Sequence, residues 1–461
     1  MHELSPAQIA FLVEVAGRDK VNAGPSARDL HCRDFGFHPC RQPAVVVWPQ
    51  DTSQVSRILA WAQDELVPVT PWGAGSSLEG NPIPVQGGVV LDMNDMNRLL
   101  NLWVEDMQVE AEPGLSYKDL NNRLRHQGLF FPPDPGAAAS LGGMIANNAS
   151  GTRTVKYGAT RDYVMALEVV LAGGQVIHTG TRAPKSSSGY DLTRLFVGSE
   201  GTLGVVTKAT LKLAGLPEHF AAVVASFPNV RQATDAVVAV IASGVGPAAL
   251  ELVSAPLAAL VNAQEGLGLA VAPQLFIELS GFSQASLAEA LEMVRGICED
   301  LGAQGFQSGL GLEERNRLWA ARHAMAETVK RGHPGKELLI TDAAVPVSSY
   351  PDLVDFAQGQ VDRGGLTGYI LGHAGDGNLH LIWAGDPGEP TGWRAIELAN
   401  EAIVAQAIRL GGTCTGEHGV GIGKRKFMAA EHGDSLATMR AIKRALDPKG
   451  ILNPGKMLPD A

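Results

Sequence analysis

The sequence predicts an α+β protein of at least two domains, and three observations carry that expectation. The chain has 461 residues, more than a single hydrophobic core organises. Strand and helix patterns in the first half are interrupted by four glycine-rich stretches, whereas the second half repeats a plain strand–helix pattern. The texture changes around Gly215, Leu216 and Pro217, where a boundary is expected.

Residues 1–40 read as a helical lead-in followed by polar coil. A buried strand is expected over 44–48 (AVVVW), a helix over 52–64 and a strand over 67–70 that runs straight into PWGAGSSLEGN. Further strands are expected over 89–93 and 108–113, then a helix over 117–127, the stiff turn FFPPDPG, and SLGGMIANNASG. ALEVVLAGG and FVGSEGTLGVVTKATLKL close this half. Beyond it, strands over 221–227 and 274–279 lead into helices over 230–243 and 283–301. The tail LDPKGILNPGKM has turn chemistry and is expected to return to the first domain.

Composition narrows the function. Apolar residues make up 45% and charged residues 18%, ordinary for a folded protein. A net charge of −11 and the lack of any basic run longer than Lys424, Arg425 and Lys426 argue against a nucleic-acid partner. Cys32, Cys40, Cys298 and Cys414 form no C-x-x-C pair, so neither an iron–sulfur cluster nor a disulfide framework is expected, and a reducing compartment follows. The N-terminus lacks a basic leader and a cleavage site. The longest apolar run, 236–250, is broken by Gly244, Gly246 and Pro247. The expected location is cytoplasmic, with peripheral contact to the inner face of a membrane left open.

The glycine loop Gly73, Ala74, Gly75, Ser76, Ser77 follows a strand, where successive amides can converge on anionic oxygens. Alone, it fits an ordinary turn equally well. The third glycine, Gly80, comes too late for a dinucleotide fingerprint, and GVGIGK lacks the spacing of a P-loop. A second glycine-rich region carries HAGDGNLH and TGEHGVG. Here the glycines are expected to clear space around reactive side chains. His373 and His380 are seven apart, so only a strand, tight turn and strand would turn both rings to one point. With Glu417 they make a three-ligand set that leaves coordination positions open, suited to Zn or Mn, and to Fe.

PWGAGSSLEGN, PPDPGAAASLGGMIANNASGTRTVKYGATRDYV, VGSEGTLGVVTKATLKL and LDPKGILNPGKM occur in that order. Together they resemble the FAD-linked oxidases of the vanillyl-alcohol oxidase and p-cresol methylhydroxylase superfamily, in the branch of D-lactate dehydrogenase (cytochrome) and the D subunit of glycolate oxidase. The resemblance covers about residues 40–457. It implies a two-subdomain FAD-binding domain of the p-cresol methylhydroxylase type over 41–216, a C-terminal α/β cap domain with a metal site over 217–445, and a returning tail over 446–461. It places Gly73, Ala74, Gly75, Ser76 and Ser77 at the pyrophosphate, with Pro71, Gly80 and Asn81 also among the cofactor-binding residues. Pro135, Ser140, Gly142, Gly143, Ala149, Gly151, Glu200, Gly204 and Val205 fall around the flavin, with Asn453 from the tail. No His stands between Trp72 and Pro84, so the FAD is expected to be non-covalent.

The same resemblance makes His373, His380 and Glu417 the ligands of a divalent metal and His418 the base. The expected reaction is oxidation of a small D-2-hydroxy acid, D-lactate or glycolate, to the 2-oxo acid, with hydride passing to the flavin. Arg322 matches the residue that grips the substrate carboxylate. The family's nearby Lys has no secure counterpart; Lys336 and Glu337 lie close by. D-2-hydroxyglutarate dehydrogenases carry a substrate-binding Asn two residues past the second metal His, and here that position is Ile382, which favours a small substrate. Electrons must leave to an external acceptor: a quinone, a cytochrome, an electron-transfer protein or an iron–sulfur subunit. The rival readings are a D-2-hydroxyglutarate-type dehydrogenase, a metal hydrolase, and a non-catalytic FAD-binding subunit of a larger complex.

Overall fold

A computed structural model of the chain describes residues 2–460, apart from the side chains at 320, 321, 323, 324 and 326. The chain forms two units. The first holds the residues up to Ser150, Ala159–Leu216 and everything from Glu417 on; the second holds Gly151–Gly158 and Pro217–Gly416. The chain therefore re-enters the first unit well before the expected return at 446. The reason is a buried carboxylate: Glu200 accepts hydrogen bonds from the amides of Val420 (2.6 Å) and Gly421 (2.9 Å) and fastens that segment to the first unit.

In the first unit, one sheet runs Val21–Asn22, Val45–Val47, Val89–Asp92, Val69–Trp72 in spatial order, the last three strands parallel. Its central strands are buried on both faces, as their unbroken apolar runs require. The helix Thr52–Glu65 is capped by the Asp51 carboxylate, and Val55, Ile58, Leu59 and Ala62 form one apolar stripe against the sheet. A second, antiparallel sheet runs Leu99–Trp103, Gln108–Ala111, Val205–Lys212, Val164–Val170, Val176–Gly180. The tail joins the first core: Val69 and Leu452 form a parallel bridge, and Ile451 and Leu452 are buried among the helix residues.

Cys32 and Cys40 form a disulfide, which corrects the expectation of four unpaired cysteines; Cys298 and Cys414 are buried thiols. The reading of a reducing compartment loses its basis with them. The chain between these two cysteines turns back because it wraps the glycine loop: the Phe35 amide donates to the Ser77 carbonyl (2.9 Å), and the Asp34 carboxylate accepts from the Gly80 amide (2.7 Å).

The second unit is a seven-stranded antiparallel sheet. Its order is Gly305–Leu310, His219–Ser226, Gln274–Gly281, Ala249–Val253, Gly368–Gly372, Asn378–Gly385, Glu337–Ala344. Helices Ala255–Glu265 and Leu312–Gly332 bury Leu257, Val261, Trp319 and Val329 against one face. Among the described residues no helix is long and apolar enough to cross a membrane.

Candidate cofactor and metal site

The first unit gathers most of the residues expected to hold a cofactor. The strand Val69–Trp72 ends at Pro71 and Trp72 and releases the loop Gly73 to Ser77. A Cβ on Gly73 would lie 2.3 Å from the Ser140 hydroxyl, so the loop backbone presses against the start of the helix Leu141–Asn147, whose cap is Ser140. Gly142 approaches as closely on its other side, its amide donating to the Pro113 carbonyl at 2.7 Å. Among the described residues, no protein group accepts a hydrogen bond from the amides of Ala74, Gly75, Ser76 or Ser77. Such a row of donors suits an anion. Pro135 is fixed by the Tyr117 hydroxyl (2.8 Å), and the Ala149 carbonyl accepts from Thr160 (2.6 Å). Gly204 packs on Val169, and Val205 opens the strand that pairs with Val170.

Asn453 ties these pieces together. Its side-chain amide donates to the carbonyls of Asn81 (3.0 Å) and Glu200 (2.7 Å). The Lys456 ammonium donates to the Asn453 side chain (3.0 Å) and to the Ile83 carbonyl. Burial pushes the Lys456 pKa down to about 7, against the pull of Glu200 and Asp34. Glu200 itself is pushed up by burial, partly offset by the amides of Val420 and Gly421. Its carboxylate is held by those two amides.

The segment Glu417–His418 is anchored in the same unit. The Ser150 hydroxyl donates to the Glu417 carboxylate (2.9 Å), and the Asn147 side chain donates to the His418 carbonyl (3.3 Å). The His418 ring lies 4.0 Å from the Glu417 carboxylate.

In the second unit, the two histidines flank a tight turn. His373 ends the strand Gly368–Gly372, a single turn of 3-10 helix spans Ala374–Asp376, and Gly377 in the left-handed region (φ 77°) starts the strand that carries His380. The rings meet edge to face with centroids 5.1 Å apart, and the nearest ligand atoms of the pair lie within 4.8 Å. A fully buried carboxylate lies beside each ring, and the one beside His373 is hydrogen-bonded to it. Glu251 Oε1 and Oε2 lie 2.8 and 3.0 Å from His373 Nδ1, and Asp342 Oδ1 lies 3.9 Å from His380 Nδ1. Burial alone would raise the Glu251 pKa, but the His373 ring and the Arg322 guanidinium beside it outweigh that and hold the carboxyl below its usual range. Asp342 also accepts from Asn378 (2.8 Å), the Thr415 hydroxyl (2.8 Å) and the Gly416 amide (3.0 Å). The Tyr350 hydroxyl is buried nearby; burial, then the Glu251 and Asp376 charges, raises its pKa well above the ordinary value.

Residues 216–457 match the family described as FAD linked oxidases, C-terminal domain, and residues 43–180 match the family described as FAD binding domain. The chain belongs to the FAD-linked oxidases. It is 41% identical over 448 residues to a probable mitochondrial D-lactate dehydrogenase of Danio rerio, covering 96% of this chain and 90% of that one. It is 36% identical over 451 residues to the glycolate oxidase subunit GlcD of Bacillus subtilis, covering 97% and 95%. Among solved structures, 4-ethylphenol oxidase from Gulosibacter chungangensis superposes with a TM-score of 0.82 at 19% identity over 99% of this chain and 98% of that one, a likeness of fold.

This FAD-linked oxidase is an oxidoreductase, and its first unit fits the cofactor. The row of free loop amides and the close approach of Gly73 to Ser140 leave room for backbone, not side chains, against a pyrophosphate. Not every expected residue falls in that unit. Gly151 opens the short segment Gly151–Gly158, which belongs to the second unit. Lys336 is on the surface, 3.8 Å from Asp386. Arg322 lies near the histidines, but two of its donors already hold Glu251. Sequence reasoning missed Glu251, Asp342, Ser150 and Lys456. The signal for the first two was an acid flanked by apolar residues inside a strand, Glu251 in ALELV and Asp342 in ELLITDAA.

Proposed function

We propose that this FAD-linked oxidase converts a small D-2-hydroxy acid, D-lactate or glycolate, to the 2-oxo acid, assisted by a divalent metal on His373, His380 and Glu417. The observation that carries the proposal is the pair of facing imidazoles, one of them hydrogen-bonded to a buried carboxylate. Metal-binding histidines are commonly backed in this way, and the pattern fixes the ring and raises its basicity. Two neutral imidazoles and one carboxylate suit Zn or Mn. When bound, the metal lowers the pKa of a coordinated hydroxyl and the flavin accepts the hydride. His418 takes the hydroxyl proton, and Arg322 meets the substrate carboxylate. Ile382 supports a small substrate: it lies two residues past His380 on the same face of its strand and is buried among apolar side chains, offering no donor to a second carboxylate.

The FAD is held without a covalent bond, since residues 72–84 contain no His. Denaturation and washing should leave a colourless chain. Electrons pass to an external quinone, cytochrome, electron-transfer protein or iron–sulfur subunit, because the chain's own cysteines form a disulfide and two buried thiols. The deciding experiment is an anaerobic screen of D- and L-2-hydroxy acids for loss of flavin absorbance, with and without a chelator. Bleaching by D-lactate or glycolate that the chelator abolishes is the expected result. A flavin that stays yellow with every acid refutes the activity, and bleaching indifferent to the chelator refutes the metal.

A further inference from the structure

Glu251 is the only charged residue of the strand Ala249–Val253 and is wholly buried. A lone carboxylate is strongly disfavoured there, so its partners explain its presence. On one side it accepts from His373 Nδ1 at 2.8 Å. With Nδ1 engaged by the carboxylate, Nε2 is the nitrogen that would ligate a metal. On the other side, a single oxygen, Oε2, accepts from both Nε (2.9 Å) and Nη2 (2.5 Å) of Arg322. The guanidinium is thus held by one edge, and Nη1 with the second hydrogen of Nη2 forms the edge left for another carboxylate.

We infer that Glu251 is a positioning residue that couples the two binding functions: it fixes the donor nitrogen of His373 for the metal and, through the same carboxylate, fixes which edge of Arg322 meets the substrate. This rests on the proposed metal-assisted reading. It goes further by making metal affinity and substrate affinity depend on a residue that touches neither.

The test uses the FAD-loaded full chain, stripped with a chelator and titrated with Mn2+ by calorimetry, followed by anaerobic flavin reduction with D-lactate to separate kcat from KM. E251Q should keep its FAD, weaken Mn2+ binding about 10- to 100-fold, and raise KM about tenfold or more. E251D guards against misfolding: it keeps the charge but withdraws it by about 1.5 Å, so it cannot hold both partners, and Mn2+ affinity should fall at least about fivefold. R322K should raise KM while leaving Mn2+ affinity within about threefold, because Glu251 still holds His373. A merely structural Glu251 would not produce this split. Wild-type Mn2+ affinity and KM in both E251Q and E251D overturn the inference alone. A wild-type chain that binds no Mn2+ overturns the metal reading and the inference with it.

Discussion

Asp342 offers the sharpest test of how the second unit is held. Its carboxylate is fully buried and accepts from Asn378 Nδ2 (2.8 Å), Thr415 Oγ1 (2.8 Å) and the Gly416 amide (3.0 Å). D342A leaves all three donors without their acceptor. The Asn378 donor is buried, and leaving such a group unsatisfied costs about 1–3 kcal/mol. Thr415 and Gly416 are half-buried and can turn partly to water, so each adds less. The total comes to about 2–4 kcal/mol, a large share of the 5–15 kcal/mol typical of a folded protein. D342N should be much milder. Its remaining oxygen can serve Thr415 and Gly416, and its new NH2 group would face Asn378, whose Oδ1 is buried and accepts no hydrogen bond among the described residues. A rotation of the Asn378 amide restores the pairing, for a cost below about 1 kcal/mol. Denaturant titration followed by tryptophan fluorescence reads both values. The reasoning fails if D342A lies within 1 kcal/mol of wild type (about the value of one ordinary hydrogen bond), or if D342N is as unstable as D342A.

Three further outcomes are expected. H418A should retain FAD and lose at least about 100-fold in turnover, the lower end of what a positioned base contributes; near-normal turnover in a stopped-flow assay removes His418 from the mechanism. N453A strips donors from the carbonyls of Asn81 and Glu200; it should lower stability by about 1–3 kcal/mol and speed FAD loss on gel filtration, and unchanged flavin content and melting would contradict this. Lys456, pushed down to about 7 from 10.5, binds fewer protons in the folded than in the unfolded chain between those values. The penalty is full below pH 7 and is relieved as pH rises, so wild type should gain on K456M by up to about 1.4 kcal/mol per unit between pH 7 and 9; a pH-independent difference rules this out.

Local physics made part of this chain legible. Asp51 ahead of Val55, Ile58, Leu59 and Ala62 announces a capped amphipathic helix, and the structure has it at Thr52–Glu65. The tight turn between His373 and His380 follows from glycines that cannot continue a strand. What stayed hidden depends on partners far along the chain. Glu251 meets His373 across 122 residues, and Asp342 meets Thr415 across 73. Nothing local to either acid specifies that partner. Arg322 reads locally as a solvated helix residue because a helix Arg usually faces water, yet its side chain is only 11% exposed, held by Glu251. The Cys32–Cys40 bridge was invisible for a related reason: a separation of eight matches no spacing rule, and the fold of the loop alone brings the thiols together.

The glycines of TGEHGVG do the opposite of what their smallness suggests. They were expected to open space around reactive side chains, but they are among the tightest positions in the chain. A Cβ on Gly416 would lie 1.6 Å from Asn378 Nδ2, and one on Gly419 would lie 2.7 Å from Asn81 Nδ2 and 2.9 Å from Glu200 Oε1. Each glycine brings the backbone against a buried polar side chain that anchors its neighbours: Asn378 is bonded to Asp342, which holds the Gly416 amide, and Glu200 holds the amides of Val420 and Gly421. Asp342 thus holds the backbone at Gly416 in the second unit, and Glu200 holds the backbone just past His418 in the first. The roles proposed for Glu417 and His418 call for backbone anchored in this way. This anchoring explains why the segment joins small residues to acids from two distant parts of the sequence, Glu200 and Asp342.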